Sequence, residues 1–359
     1  HFLWSAINCL KSSVMLVKRL LVLSALFYSA NCMYSQPGPR VTGVFCYYPP
    51  MHALLLFDGY TIHPEDGSDP VWSWDGKKWK SVQLSGAPSK SLSSGDYDPD
   101  KQVVTLFGGI GKGHYDDLHG DAWSFDGLRW ARSDSEQIGT RDHHKMVYAN
   151  HLKSFVMYGG SNTNRSFDSS TWIFKEGRWR KLNIPGPGSR FHFGMTYDPL
   201  RQRVVLYGGY SASGIREDTW EFDGSYWKKI ETTGPGPRGR SVMLYDPELK
   251  QVILYGGDAG KIKVDKSVNP EGEIWDVRGD TWAWDGTKWT KIAEGGPGRM
   301  LPALGFDPER KVLVLYGGGG ASTEDYADTW EFQNSHWERI INGGIWKWDD
   351  NKKMLMRIE

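Results

Sequence analysis

Residues 201–227 read RQRVVLYGGYSASGIREDTWEFDGSYW: an apolar run, a Gly-Gly pair, a variable polar segment, a Trp, an Asp-Gly pair and a second Trp. The run VVLY shows no polar alternation, which marks a strand covered on both faces. Asp223-Gly224, set between two aromatic-bearing stretches, is a hairpin signal, with Gly supplying the positive φ that such turns need. A strand buried on both faces cannot stand alone, so the neighbours of this stretch decide the fold.

Those neighbours are copies of it. LFDGY, LFGGI, MYGGS, LYGGY, LYGGD and LYGGG align Gly59 of the first copy with the second glycine of the pair in the others, Gly109, Gly160, Gly209, Gly257 and Gly318, in steps of 50, 51, 49, 48 and 61 residues. Downstream of each lies a Trp pair seven residues apart: Trp72 and Trp79, Trp123 and Trp130, Trp172 and Trp179, Trp220 and Trp227, Trp282 and Trp289, Trp330 and Trp337. Upstream, a basic residue precedes an aromatic by seven in every copy: Arg40 and Tyr47, Lys90 and Tyr97, Arg141 and Tyr148, Arg190 and Tyr197, Arg238 and Tyr245, Arg299 and Phe306. Periods of this size signal stacked or radially repeated units.

Each copy reads as four short strands. The first ends at the aromatic and turns, in four copies, through Asp-Pro (Asp98-Pro99, Asp198-Pro199, Asp246-Pro247, Asp307-Pro308), where Pro presets φ. The second is the apolar run, the third carries the first Trp, and the fourth begins at the second Trp. Six such units arranged in a ring cover both faces of each other without a long exposed edge. The predicted fold is all-β, a six-bladed β-propeller with four antiparallel strands per blade; seven blades is the alternative. The Gly-Gly pair is expected where another backbone comes close.

The pattern of apolar strand, Gly-Gly and spaced Trp resembles the kelch repeat over about residues 37–340, with blades near 37–80, 88–131, 139–180, 188–229, 236–290 and 297–339. Departures are Asp58-Gly59 for Gly-Gly, Pro70 before Val71-Trp72, Ala149-Asn150 for Asp-Pro, and a blade-five insertion, KIKVDKSVNPEGEIWDVRG. Residues 341–359 echo a Trp-x-Trp hairpin and are expected to pack as a tail strand or hairpin.

The N-terminal part has another character. MLVKRLLVLSALFYSANC from Met15 combines Lys18 and Arg19 with an apolar stretch and small residues, the pattern of an export signal over 15–36. Residues 1–14 read as an upstream extension or fragment edge. The expected location is extracytoplasmic, with no membrane span after processing. Cys32 offers a lipid-attachment cysteine, although Asn31 suits that poorly, so free and anchored forms both stay open. Cys46 is then the one cysteine of the mature chain, which excludes a disulfide framework.

Composition bounds the partners. Apolar residues make up 39% and aromatics 14%, with 18 Trp, enough for a large core. Lys+Arg and Asp+Glu are both 43, a formal net charge of zero, so bulk charge makes no case for nucleic acid or an anionic membrane.

Candidate site residues lie on the face that carries the variable second-to-third-strand loops. The basic column, including Arg141, Arg190, Arg238 and Arg299, has two readings: a ring of cations able to hold a carboxylate or sulfate, or construction pairs with Asp121, Asp218, Asp280 and Asp328. His63, His114, His119, His143, His144 and His192 fall in blades one to three, where they could serve as acid/base groups or as ordinary polar residues. Tyr60, Tyr115, Tyr210, Trp275 and Tyr326 supply aromatic surface, Trp275 standing where the repeat requires no Trp. Set beside kelch enzymes, the chain lacks the supporting constellation of a copper radical oxidase around Cys46. It has Ser73 where the iron-binding specifier pattern of Glu65 and Asp69 would need a His. Arg141, Arg190, His143, Glu217 and Asp218 are present for a sialic-acid epimerase-like channel. Nucleophile motifs, phosphate loops and zinc spacings are absent, so no cofactor and no metal are expected. The expected activity is binding of a protein or glycan, with a sugar epimerase or mutarotase acting on an anionic sugar as the alternative.

Overall fold

The computed structural model describes residues 36–41, 43–57, 59, 71–82, 86, 88, 90–111, 117–133, 138–162, 166–267, 269–349 and 354–359. It is an all-β propeller of six four-stranded antiparallel blades, each built from strands consecutive in the blade. The innermost strands run Val44–Tyr48, Ser94–Asp98, Lys145–Ala149, Gly194–Asp198, Val242–Asp246 and Ala303–Asp307. Next outward come the apolar strands, for example Ala53–Phe57, Arg203–Ser211 and Val312–Tyr316. Six blades, not seven, close the ring; residues 345–349 and 354–357 instead form a three-stranded sheet with Glu324–Tyr326. No helix among the described residues is long and apolar enough to cross a membrane.

The second strands are buried on both faces, as their composition demands: Val204, Val205, Leu206 and Tyr207 are fully buried, as are Val252 to Tyr255. Their side chains alternate between the two flanking interfaces, so Val204 and Leu206 pack toward blade three while Val205 and Tyr207 pack toward blade five. Six apolar clusters fill the six junctions between neighbouring blades. With each large apolar side chain contributing roughly 1.5–3 kcal/mol on burial, these junctions hold the ring together.

The repeated motifs each perform one construction task. The first glycine of the pair, as at Gly208 (φ 66°), lies so close to the next blade's Arg238 carbonyl that a Cβ would sit 2.5 Å from that oxygen. The second glycine donates its N–H to the same carbonyl, Gly209 to Arg238 at 2.9 Å and Gly257 to Arg299 at 2.8 Å. The Tyr before the pair donates to the linker ahead of the next blade, Tyr207 to Gly236 at 3.0 Å. The second Trp reaches back to the preceding blade: Trp227 to Thr171, Trp289 to Thr219 and Trp337 to Thr281, at 2.8–2.9 Å.

The ring closes by the same contacts. Trp79 of blade one donates to Thr329 of blade six at 2.9 Å, Tyr316 donates to the Gly38 carbonyl at 3.1 Å, and Gly318 N–H meets the Arg40 carbonyl at 2.8 Å. Among the described residues no strand is exchanged across the junction; its core is Phe45, Leu54, Leu56, Trp74 and Trp79 against Val312, Val314 and Tyr316.

Candidate functional site

Most of the basic column is engaged inside its own blade. Arg190, 1% exposed, makes a two-pronged pair with Asp218 at 2.8 and 3.0 Å and also donates to the Gly208 carbonyl. Arg238 does the same with Asp280 at 2.8 and 3.2 Å, and Arg299 meets Asp328 at 2.7 Å. Lys90 and Arg132 share Asp121. In blade three, Ser170 occupies the usual acid position and Asp168, two residues earlier, takes Arg141 at 2.9 Å. Asp121, Asp218, Asp280 and Asp328 also accept the indole N–H of the first Trp of their blade, as Asp218 does from Trp220 at 2.8 Å, whereas the displaced Asp168 leaves Trp172 Nε1 without a partner. Tyr326 lies over Arg299, whose guanidinium carbon is 3.3 Å from the ring centroid.

Two residues beyond each basic residue the chain turns into the central channel. This position is left-handed in five blades although none of its residues is glycine: Leu92 (φ 57°), His143 (53°), His192 (54°), Arg240 (55°) and Leu301 (49°). Such a conformation costs roughly 1 kcal/mol or more for a side-chain-bearing residue and persists only where surroundings enforce it. Here neighbouring blades enforce it, because Arg240 N–H donates to the His192 carbonyl at 2.7 Å and Leu301 N–H to the Arg240 carbonyl at 2.8 Å. The mouth is therefore two-sided. Among the described residues at this position, Leu301 and Leu92 are apolar, while His143, His192 and Arg240, on three consecutive blades, make one edge polar.

The polar edge carries a continuous row of π faces. Phe167 stacks on Phe191 (4.5 Å, 18°), Phe191 stacks on Tyr210 (5.5 Å, 26°), and Arg240 lies between Tyr210 (5.0 Å) and Trp275 (4.1 Å). Arg240 also meets Asp258 at 3.1 Å and the Tyr210 hydroxyl at 3.2 Å, and Tyr210 donates to Asp258. Trp275 belongs to the blade-five insertion, which folds as a hairpin of Asp258–Lys263 and Glu273–Val277. That hairpin docks on blade six, Trp275 N–H donating to the Ala321 carbonyl at 2.8 Å. His143 and His192 meet edge to face at 4.2 Å, and His143 is held by Asp142 at 3.0 Å.

Below the mouth the channel widens into a cavity of about 180 Å³ bordered by His143, Lys145, His192, Thr196, Asp96 and Cys46 among others. Burial, with His143 and Arg240 nearby, holds His192 well below the usual imidazole range. Burial also lowers Lys145, to about 8. Asp96 is pushed up to about 6 by burial, although it accepts the backbone N–H groups of Tyr148 and Tyr97. Burial raises the Cys46 thiol. His144 is 2% exposed and turned against Phe107, and burial together with Arg141 holds it neutral.

Of the expected site residues, the structure thus brings His143, His192, Tyr210 and Trp275 together, and separates from them Arg141, Arg190, Arg238, Arg299 and Tyr326. Tyr60, Tyr115, His63 and His114 lie outside the described residues. His119 meets Asp117 at 3.4 Å, and no group of three or more metal-ligating side chains occurs among the described residues. Sequence reading missed Phe191, Arg240 and Lys145. The available signal was positional: Arg240 shares its repeat position with Leu92, His143, His192 and Leu301, and Lys145 shares one with Val44, Ser94, Gly194, Val242 and Ala303, where no other blade has a charge. No family model matches the chain, and no curated protein sequence does. Among solved structures, the one titled "Structure of YjhT" superposes with a TM-score of 0.65 over 85% of this chain and 98% of that one at 15% identity, a likeness of fold.

Proposed function

We propose that the chain is an exported kelch-repeat propeller that binds a protein or glycan ligand on its loop-bearing face, at the polar edge of the channel mouth. The carrying observation is the row Phe167, Phe191, Tyr210, Arg240 and Trp275, which crosses three blades and which blade construction does not require. Aromatic faces with a polar rim supply stacking area together with hydrogen bonding. Phe167 is 40% exposed and so can meet a partner directly. Export rests on the signal-like segment at 15–36, and the kelch assignment on the six concordant copies. The reading as a channel enzyme for an anionic sugar is weaker, because Arg141, Arg190 and Asp218 are engaged in pairs within their blades.

The test is a glycan array probed with residues 37–359, in parallel with Trp275→Ala. Retention of a defined glycan, weakened about tenfold or more by the loss of one stacking side chain, supports the reading. Retention that is indifferent to Trp275 and to Tyr210→Ala moves the site away from the mouth. An array without any retained glycan leaves a protein ligand, to be sought with the same two variants.

A further inference from the structure

We propose that Lys145 is a nucleophilic amine that captures small aldehydes in the central channel as an imine. Three observations carry this, independently of what the loop-bearing face binds. First, Lys145 stands at an inner-strand position filled elsewhere by Val44, Ser94, Gly194, Val242 and Ala303, so the blade does not need a charge there. Second, Lys145 lines the channel cavity and is only partly exposed. Third, among the described residues Lys145 is held by no carboxylate, unlike Lys90, whose side chain is tied to Asp121. An ammonium that is partly buried and has no counter-charge at hand is costly, and releasing the proton relieves that cost. The pKa of Lys145 falls accordingly, to about 8, placing its lone pair within reach of neutral conditions.

The surroundings suit the chemistry. The groups facing Lys145 are His143 and His144 on its own blade, Asp96 from blade two, His192 from blade four and Cys46 from blade one, with Arg240 beyond His192. His192 is kept neutral in the same cavity and so adds no positive charge beside the amine. The Nζ lone pair attacks the aldehyde carbon, forming the C–N bond while the C=O π pair moves to oxygen. A proton passes from nitrogen to that oxygen, giving a carbinolamine. Loss of the hydroxyl with the second nitrogen proton releases water and leaves C=N, with no oxidant or reductant consumed. The cavity, about 180 Å³, admits a molecule of a few heavy atoms.

The test is reductive trapping of the folded protein with glyceraldehyde or glyoxylate and cyanoborohydride, followed by peptide mass spectrometry across pH 6–11. Lys145 is expected to label at least about tenfold faster at pH 7.5 than the surface lysines. Its rate should level off with a midpoint near 8. Lys145→Met, which keeps the length of the side chain without its amine and serves as the folding control, should lose this fast product while surface labelling stays unchanged and melting is unchanged or raised. Labelling by both probes assigns the site to aldehydes in general, and labelling by glyoxylate alone to aldehydes that carry an acid. Lys145 labelled no faster than surface lysines, or with their pH midpoint, overturns the proposal, as does no labelling at Lys145 with either probe.

Discussion

Trp130 shows how one side chain separates a complete repeat from an incomplete one. In blades four, five and six the second Trp donates its indole N–H to the Thr of the preceding blade, and Trp79 does so across the closure. Trp130 faces Val71 at that position, and its Nε1 is buried without a partner. A buried donor left unsatisfied costs roughly 1–3 kcal/mol. Val71→Thr adds the missing acceptor at almost unchanged volume and is expected to raise stability by about 1 kcal/mol, read as a higher urea midpoint at constant slope. The same change at Val156, a core valine with no indole opposite, should destabilise by burying a hydroxyl. Equal effects at the two sites would show that the bond is not what matters.

At the scale of elements, the strand Glu324–Tyr326 ties residues 345–349 to blade six through the pairs Glu324 with Lys347, Asp325 with Trp346 and Tyr326 with Ile345. Burial, and then the Glu324 charge, push Asp325 up to about 7. A carboxyl whose folded pKa is raised contributes stability that is present below its unfolded value, about 3.9, and is lost as pH rises through 7. The tail sheet should therefore loosen between about pH 4 and pH 7, by roughly 2–4 kcal/mol. Amide exchange over 345–349, corrected for intrinsic pH dependence, reads this loosening, and Asp325→Asn should remove it. Exchange protection that stays flat with pH in the wild-type chain would dismiss the assignment. How well such elements could be read beforehand follows from repetition. Strands, Trp pairs and Gly-Gly turns recur in step, so six copies corroborate each other. The pair of Arg141 with Asp168 escaped because the acid moved two places out of register. Trp275 stood out by itself, but its partnership with Arg240 escaped because residues from an inserted hairpin and an inner turn meet only once the chain has curled into a ring.

At the scale of the whole molecule, the acids that hold the basic column act as spokes repeated from blade to blade. Against the cost of burial, Lys90 with Trp123 and Arg132 holds Asp121 down to about 2. Asp168, Asp218 and Asp280 are likewise held below the usual carboxylate range, burial opposing and Arg141, Arg190 and Arg238 prevailing. A carboxylate with a depressed folded pKa contributes stability that is full above its unfolded value, about 3.9, and is lost as pH falls through the folded one. Because these acids titrate together and each sits beside the Gly-Gly contact that joins two blades, the ring is expected to lose stability steeply between about pH 4 and pH 2. Urea midpoints taken from pH 7 to pH 2 measure the slope. Asp218→Asn leaves Arg190, 1% exposed, without its counter-charge. Removing one partner of a buried pair should cost about 3–5 kcal/mol at pH 7. The variant should also lose less than the wild type on acidification, since one titrating spoke is gone. A variant with the wild-type acid slope would mean that acid unfolding is driven by groups outside the basic column, and that the pairs serve geometry rather than charge.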